Sequence, residues 1–426
     1  MVKSYLNQLK PGALKIVREV GVVSHGLGLR AFVAGGCVRD LILGRDVEDL
    51  DIVVNGDAVL VAKKFASMHQ GKIVVYHQFG TATVTLPDGR AVDFASVRKE
   101  VYPHPGALPV VSPGSLEEDL FRRDFTINAM AIAIDPGHFG SLLDHYGGLN
   151  DLKRKFIRVL HDQSFVDDPT RILRAVRFEQ RFRFAIESVT LRLIRQAMKR
   201  GAVNSVKPPR FFEEFKKNLK EPAAPQNLQR LSKLGVLKFF GRSVKFSENK
   251  SLFIKQAALS LQWARKNLPD WAGLNSWLVF WMVLCDGVSL VSATKAMESF
   301  SFTHADKMKT INALLSADIV KRLASKRLPD GQVFALLRER SNEELLFFWS
   351  KSLKGLARVR LQKYLMEWRH LSLKINGNDL KRLGIPSGKM FKYILDQVLY
   401  RVVEGNCRLK SEQVVYARSL YQQSQS

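Results

Sequence analysis

AFVAGGCVRDLILGRDVEDLDIVV, residues 31–54, decides the fold. Ala31 to Ala34 and Leu50 to Val54 read as strands with a helix, Val38 to Leu43, between them, and Gly35-Gly36 sits at the strand-to-helix turn. Glycines there let backbone N–H groups and a helix start approach a phosphate, although the same pair also makes a plain tight turn. Asp49 and Asp51 flank Leu50, so a period of two turns both carboxylates to one face while Leu50 enters the core. Adjacent carboxylates raise each other's pKa unless a cation neutralises them. Magnesium takes one or two carboxylates plus substrate phosphates, so turn and strand together predict a nucleotide and metal site. Solvated acids at a strand end are the alternative.

Outward from this stretch, Val59 to Met68 reads as a helix and Lys72 to Tyr76, Ala82 to Leu86 and Ala91 to Ala95 as strands, giving a mixed α/β head. Asp93, in the last strand, is either a third carboxylate of the site or an ordinary strand-end acid. Val101 to Ser115 holds Pro103, Pro105, Pro109 and Pro113 and is expected to be a long loop without a regular element. DLFRRDFTINAMAI (119–132) places Arg122, Arg123 and Asp124 at the entry to an apolar helix or strand, for phosphate recognition or as a surface ion pair. From Asp151 onward strand signals nearly vanish and helical periodicity takes over, broken at Pro208-Pro209, Pro222, Pro269 and Pro329. The expected division is a head over 1–150, a helical neck over 151–222, a helical body over 223–330 and a helical tail over 331–426.

In FVDDPTRILRAVRFEQRF (165–182), Asp168 stands before a helix-starting Pro169, where capping is its commonest task. Arg171, Arg174 and Arg177 follow at intervals of three and share a broad helix face that needs anions. Ile172, Leu173, Ala175 and Val176 demand a packed neighbour on the other side, which argues against a purely solvated helix.

The 426 residues carry a formal charge of +26, a surplus that suits a polyanionic partner such as nucleic acid or else marks a generic basic surface. Three scattered cysteines argue against a disulfide framework and a CxxC metal site, and no uncharged run is long enough to span a membrane. A cytoplasmic protein without a membrane or protein partner is expected. In the tail, KSLKGLARVRLQK (351–363) offers Lys351, Lys354, Arg358, Arg360 and Lys363 without an acid, as an RNA-phosphate surface or a solvated helix face. NGNDLKRLGIPSGKMFKYIL (376–395) offers a helix start that either touches a phosphate or is simply a capped turn.

Together these segments resemble the class II tRNA nucleotidyltransferases, a family that also contains bacterial poly(A) polymerases. GGCVRD with DLD resembles its metal and nucleotide motif, and RRDFTINAMA its sugar and hinge motif. LLDHYGGLNDLKRKFIRVL resembles the next hinge, DDPTRILRAVRF the base-reading motif and, more loosely, PRFFEEFKKNL the last motif. Five ordered motifs cover residues 31–220. The resemblance implies a mainly antiparallel nucleotidyltransferase sheet followed by helices. It implies a glycine turn at Gly35 and Gly36, nucleotide contacts at Arg39, Arg123, Asp168, Arg171 and Arg174, Mg²⁺ on Asp49 and Asp51, and partners ATP, CTP and tRNA. Asp167-Asp168 replaces the usual Glu-Asp, and Pro209-Arg210-Phe211 replaces Glu-Arg-Ile, which leaves Arg210 and Glu214 as looser matches.

A carboxylate only accepts and a guanidinium only donates hydrogen bonds. Cytosine and adenine present an amine beside an accepting ring nitrogen, and uracil and guanine the reverse. An Asp168/Arg171 pair therefore accepts C and A and refuses U and G. The implied reaction is attack of an RNA 3′-hydroxyl on the α-phosphorus of ATP or CTP. A poly(A) polymerase would carry a glycine- and arginine-rich element where this chain has KIVVYHQFGTATV (72–84), and a non-catalytic RNA-binding relative would have lost the carboxylates. The unshortened proline-rich loop disfavours addition of CC alone. Full CCA and terminal A both stay open.

Overall fold

The computed structural model describes residues 5–47, 49–240, 246–271, 273–316 and 318–425. The chain divides into two units, residues 1–239 and 240–426.

The first unit is built on a seven-stranded sheet. Its strands are β1 (Arg30–Ala34), β2 (Leu50–Asn55), β3 (Lys72–Tyr76), β4 (Thr81–Thr85) and β5 (Ala91–Ser96), joined past a separate hairpin, β6 (Arg98–Val101) and β7 (Val110–Pro113), by β8 (Ala131–Ala133) and β9 (Leu142–Leu143). The order is β3-β4-β5-β2-β1-β8-β9, and only β2 and β5 run parallel. The expected mixed, mainly antiparallel sheet is therefore present.

Helix α1 (Pro11–Gly26) precedes β1, and α2 (Gly36–Ile42) and α3 (Ala58–His69) intervene between the next strands. Asp57 caps α3 by accepting from Leu60 N, and the buried Ala58, Val61, Ala62, Phe65 and Ala66 recur at helical spacing to form its core face. That face lies on β3, β4 and β5, with Phe65 and Phe94 ring centroids 5.9 Å apart. On the opposite face of the sheet, a second core joins Phe32, Ala34, Val53, Ala131 and Ala133 to Leu120 of α4 (Leu116–Phe121). Ser115 and Glu118 form a capping box that starts α4. The second core covers β1, β8 and the end of β2, whereas Asp51, Asp93, Val74 and Tyr76 stay exposed on the same face.

The stretch expected to be an unstructured loop, Val101 to Ser115, is corrected by the β6–β7 hairpin, in which Val101 pairs with Val110 and Arg98 with Pro113. Proline forbids a ladder donor only at its own nitrogen. Pro103, Pro105 and Pro109 lie in the connection and Pro113 ends an edge strand, where no donor is required. The near-absence of strands after Asp151 also has an exception, a two-residue parallel pair of Phe156–Ile157 with Ala185–Ile186.

Helices then take over. Thr170–Phe182 buries Ile172, Leu173, Ala175 and Val176 and packs on Pro208–Lys220, and both meet Ala224–Lys233. The second unit has no strand among its described residues. Its helix Ser276–Cys285 is buried from Trp277 onward and packs against Glu248–Asn267 and Asn342–Lys351, and near the C-terminus Ile375, Leu380, Ile385, Ile394, Val398 and Ala417 form a separate small core. No helix among the described residues is long and apolar enough to cross a membrane.

Candidate active site

Asp51 of β2 lies directly beside Asp93 of β5, and Asp49 immediately precedes β2. The parallel pairing of two central strands thus brings together acids 42 positions apart in sequence (93 − 51). Thr83, the antiparallel partner of Asp93, donates its hydroxyl to Asp93 Oδ1 at 2.5 Å and fixes that carboxylate. Packing at the foot of the cleft lifts the Asp51 carboxyl above its ordinary range, Asp93 and Asp49 add to the shift, and Arg123 opposes it. Asp51 still touches solvent, so the two neighbouring carboxylates are the durable part of that shift. A divalent cation would relieve both. Among the described residues no three His, Cys, Asp or Glu side chains form a ready-made metal cage. A carboxylate pair without a cage is the donor set that Mg²⁺ uses when substrate phosphates complete its shell.

Beside these acids opens a cavity of about 330 Å³ lined by Gly36, Arg39, Tyr102, Arg123, Asp168, Arg171 and Arg174. Gly35 turns the chain from β1 into α2 at φ +75°, and a Cβ there would run into the Arg123 guanidinium, so both conformation and space require glycine. Arg123 donates to Asp119 Oδ2 at 3.0 Å, while its buried Nε has no hydrogen-bond partner. Burial alone would raise the Asp119 carboxyl, but the Arg123 and Arg122 guanidiniums outweigh it and hold Asp119 below the usual range.

The arginines of the cavity are tied together through two residues that the sequence reading did not assign. Arg174 Nε donates to Asp124 Oδ2 at 2.7 Å, Asn128 Nδ2 to Asp124 Oδ1 at 2.8 Å, and Arg39 Nη1 to Asn128 Oδ1 at 2.6 Å. Arg39 also forks onto Asp40 and lies 4.7 Å from the Phe182 ring centroid. Buried Asp124 would be pushed up by desolvation, yet Arg174 and Asn128 hold it ionised, below the usual carboxylate range. A continuous chain of bonds therefore runs from helix Thr170–Phe182 through the segment before β8 to helix α2. The sequence did show Asp124, but only as an Arg neighbour. Asn128 looked like one polar residue in an apolar run.

Asp168, two residues ahead of helix Thr170–Phe182, accepts from Thr170 N at 3.0 Å and from Thr170 Oγ1 at 2.6 Å, and its other oxygen pairs with Arg210 Nη2 at 2.9 Å. Arg210 also donates to the carbonyls of Gly106 and Ala107, which ties the proline-rich connection to the cavity wall. Arg171 donates to Ser164 Oγ and to the Arg122 carbonyl, both at 2.7 Å. Arg177 leaves the row: it lies 3.7 Å from Glu214 and 3.9 Å from Glu221, away from the cavity lining. Tyr102, its hydroxyl 3.1 Å from Glu100 Oε2, completes the wall and is pushed up to about 12 by burial.

A larger cavity of about 520 Å³ lies at the far ends of β2 and β5, lined by Asn55, His77, Phe79, Ser96 and Arg98. Its lining holds the single arginine Arg98, whereas the smaller cavity gathers Arg39, Arg123, Arg171 and Arg174 around Asp124 and Asp168, so chemistry singles out the smaller one. Within the second unit, Lys351 pairs with Asp286 at 2.6 Å. Arg358 lies 4.0 Å over the Trp349 ring and donates to the Trp349 carbonyl at 2.8 Å, and Lys354 is exposed.

Residues 31–158 match the poly A polymerase head domain family, and residues 183–245 match the family described as the probable RNA and SrmB-binding site of polymerase A. The A-adding tRNA nucleotidyltransferase of Geobacter sulfurreducens is 34% identical over 94% of this chain, which spans only 46% of that relative's length. The A-adding tRNA nucleotidyltransferase of Halalkalibacterium halodurans is 30% identical, with 97% of this chain and 93% of the relative covered. Among solved structures, the Thermotoga maritima CCA-adding enzyme complexed with tRNA superposes with a TM-score of 0.81 at 31% identity, covering 98% of this chain and 97% of that one. CCA-adding enzyme complexes with CTP and with ATP superpose with TM-scores of 0.82 and 0.83 at 32% identity, covering 98% and 99% of this chain and 97% of each of theirs.

Proposed function

This chain belongs to the tRNA nucleotidyltransferase and poly(A) polymerase family, and from that premise we propose that it extends the 3′ end of tRNA with CCA, or with its terminal A, using CTP and ATP and releasing pyrophosphate. The observation that carries the reading is the Asp51–Asp93 pair at the edge of an arginine-lined cavity that also holds Asp168 and Arg171.

Asp49 and Asp51 would hold Mg²⁺, which, when bound, neutralises charge that builds on the entering and leaving oxygens. Asp93, fixed by Thr83, is the carboxylate placed to take the proton of the attacking 3′-hydroxyl. Arg123, with a buried Nε still seeking an acceptor, meets the triphosphate. Asp168 and Arg171 read the base: they pair with the amine and ring nitrogen of cytosine or adenine and leave uracil or guanine with two mismatched contacts. Arg174 and Arg39, bound to each other through Asp124 and Asn128, keep the base reader and the phosphate turn in register. The division into head, neck, body and tail at 150, 222 and 330 follows the same reading, with the exposed Lys354 among the tail residues open to RNA phosphate. Three free, buried thiols fit a reducing, cytoplasmic setting.

The curated relatives include A-adding, CC-adding and CCA-adding enzymes and the solved ones include CCA-adding enzymes, so the number of nucleotides added is the open variable. Transcripts ending before CCA, after C and after CC, each incubated with CTP and ATP separately, decide it. Addition only of A to the CC-ended transcript identifies a terminal-A enzyme, and addition to none rejects the reading. Asp49→Ala with Asp51→Ala abolishes addition while RNA binding persists; activity in that double variant would remove the metal assignment.

A further inference from the structure

On the open face of the sheet, residues that pair across strands stand in rows. Val74 of β3 pairs with Thr83 of β4, Thr83 with Asp93 of β5, and Asp93 with Asp51 of β2. Directly paired residues project to the same face, and the Thr83–Asp93 hydrogen bond confirms it here. The next row is Tyr76, Thr81 and Ala95, and the row on the other side is Lys72, Thr85 and Ala91. Intervening residues Val84, Val92 and Phe94 are buried toward α3. The result is a platform that begins at the carboxylates and ends at an edge strand, where Val74 and Tyr76 remain 53% and 52% exposed. An edge strand with an uncovered valine and tyrosine is a liability unless something covers it in use.

We infer that this platform, formed by Lys72, Val74, Tyr76, Thr81 and Thr83, seats the 3′-terminal nucleotides of the RNA that is being extended. The inference rests on the transfer reading above. In-line displacement puts the attacking hydroxyl opposite the departing pyrophosphate. The nucleotide cavity lies on the β1 and β8 side of β2, because Gly36 follows β1 while Arg123 and Asn128 precede β8. The strand order places β5, β4 and β3 on the other side of β2. An RNA end arriving over β3 and β4 therefore brings its hydroxyl to Asp93 and Asp51 from the side that the cavity leaves free.

The chemistry of the platform fits that occupant. The Tyr76 ring offers a stacking surface to any base, the threonine hydroxyls bond sugar or phosphate, and Lys72 supplies a cation. No array of donors reads a base edge there. The platform therefore accepts an end whose sequence changes as nucleotides are added. From β2 to β3 it spans three strand spacings, roughly 14 Å, the length of about four bases stacked at roughly 3.4 Å.

The test uses the full chain and a transcript whose 3′-terminal base is photoreactive. Irradiation is expected to crosslink that base to residues within 72–85, and Tyr76→Ala is expected to raise the KM for RNA about tenfold while the KM for ATP changes less than about twofold. Tyr76→Phe restores the RNA KM, and Val74→Glu, a second exposed change, reproduces the loss at an unchanged melting temperature. Crosslinks that map elsewhere while addition proceeds overturn the inference and leave the transfer reading intact. So does an unchanged RNA KM in both variants, or a change of oligomeric state in its place. Failure of the unmodified chain to extend any transcript overturns both.

Discussion

Two arginine-rich helices, Thr170–Phe182 in the first unit and Leu356–Met366 in the second, have much the same sequence character and opposite uses of charge. In the first, Arg171 and Arg174 line a cavity, each anchored at one end by the protein. In the second, Arg360 is buried and spends its guanidinium on the carbonyls of Leu323, Ser325 and Leu328, while Arg358 serves the Trp349 carbonyl. Positive charge in a sequence thus identifies a ligand site only where protein acceptors run out. Where helix ends leave carbonyls unpaired, arginine is the cap that closes them.

The sharpest way to break the comparison is to remove one arginine from each helix. Arg171→Ala is expected to lower kcat/KM for ATP by about a thousandfold and to relax discrimination against UTP and GTP, because a site built around paired polar groups is left mismatched. Steady-state kinetics with all four nucleotides measures it. Arg360→Ala is expected to cost about 3 kcal/mol of stability, since three carbonyls lose a charged donor, with the KM for ATP unchanged. Thermal melting alongside the same kinetics separates the two. A catalytic defect without destabilisation in Arg360→Ala would dissolve the distinction.

A smaller effect tests how the first helix is tied to the head. Asn128→Ala breaks the bonds between Asp124 and Arg39 and leaves both charges buried. The expected loss is about tenfold in kcat/KM, the effect of weakening a positioning contact rather than a reacting group, and it should fall equally on ATP and CTP. A loss confined to one nucleotide would make Asn128 a base reader.

What the sequence yielded and what it withheld follow the same physics. The Asp49–Asp51 strand, the glycine turn and the apolar stripe of the neck helix were legible because period and composition report local geometry directly. Asp93 was legible only as a candidate, since its place beside Asp51 depends on a parallel pairing that no local pattern encodes. Asn128 and Tyr102 were missed for the same reason, their partners lying far along the chain. The β6–β7 hairpin was hidden by its prolines, which sit in the connection and at an edge. The tail's Lys351 and Arg358 looked free because Asp286 and the Trp349 carbonyl are invisible to a composition count.

The smallest effect concerns protons. Arg358 is lowered by burial only to about 10, so it keeps its charge across the neutral range and the tail helix adds no titration there. Asp51 is raised, first by its packed surroundings and then by Asp93 and Asp49. Its charged form is disfavoured in the folded chain, so the metal-free protein gains nothing from ionising it, whereas Mg²⁺ requires the carboxylate free of a proton. As pH falls through the raised value, proton and metal compete. The Mg²⁺ concentration for half-maximal activity is then expected to rise as pH is lowered, beginning at a higher pH than an ordinary carboxylate would give. Asp51→Asn removes a like charge and should melt no lower than the unmodified protein without metal. In the unmodified protein Mg²⁺ should lift the melting temperature by about 1–3 °C, and in Asp51→Asn that increment should vanish. A metal-dependent increment that survives in Asp51→Asn would move the cation away from this strand and leave the raised carboxyl without a role.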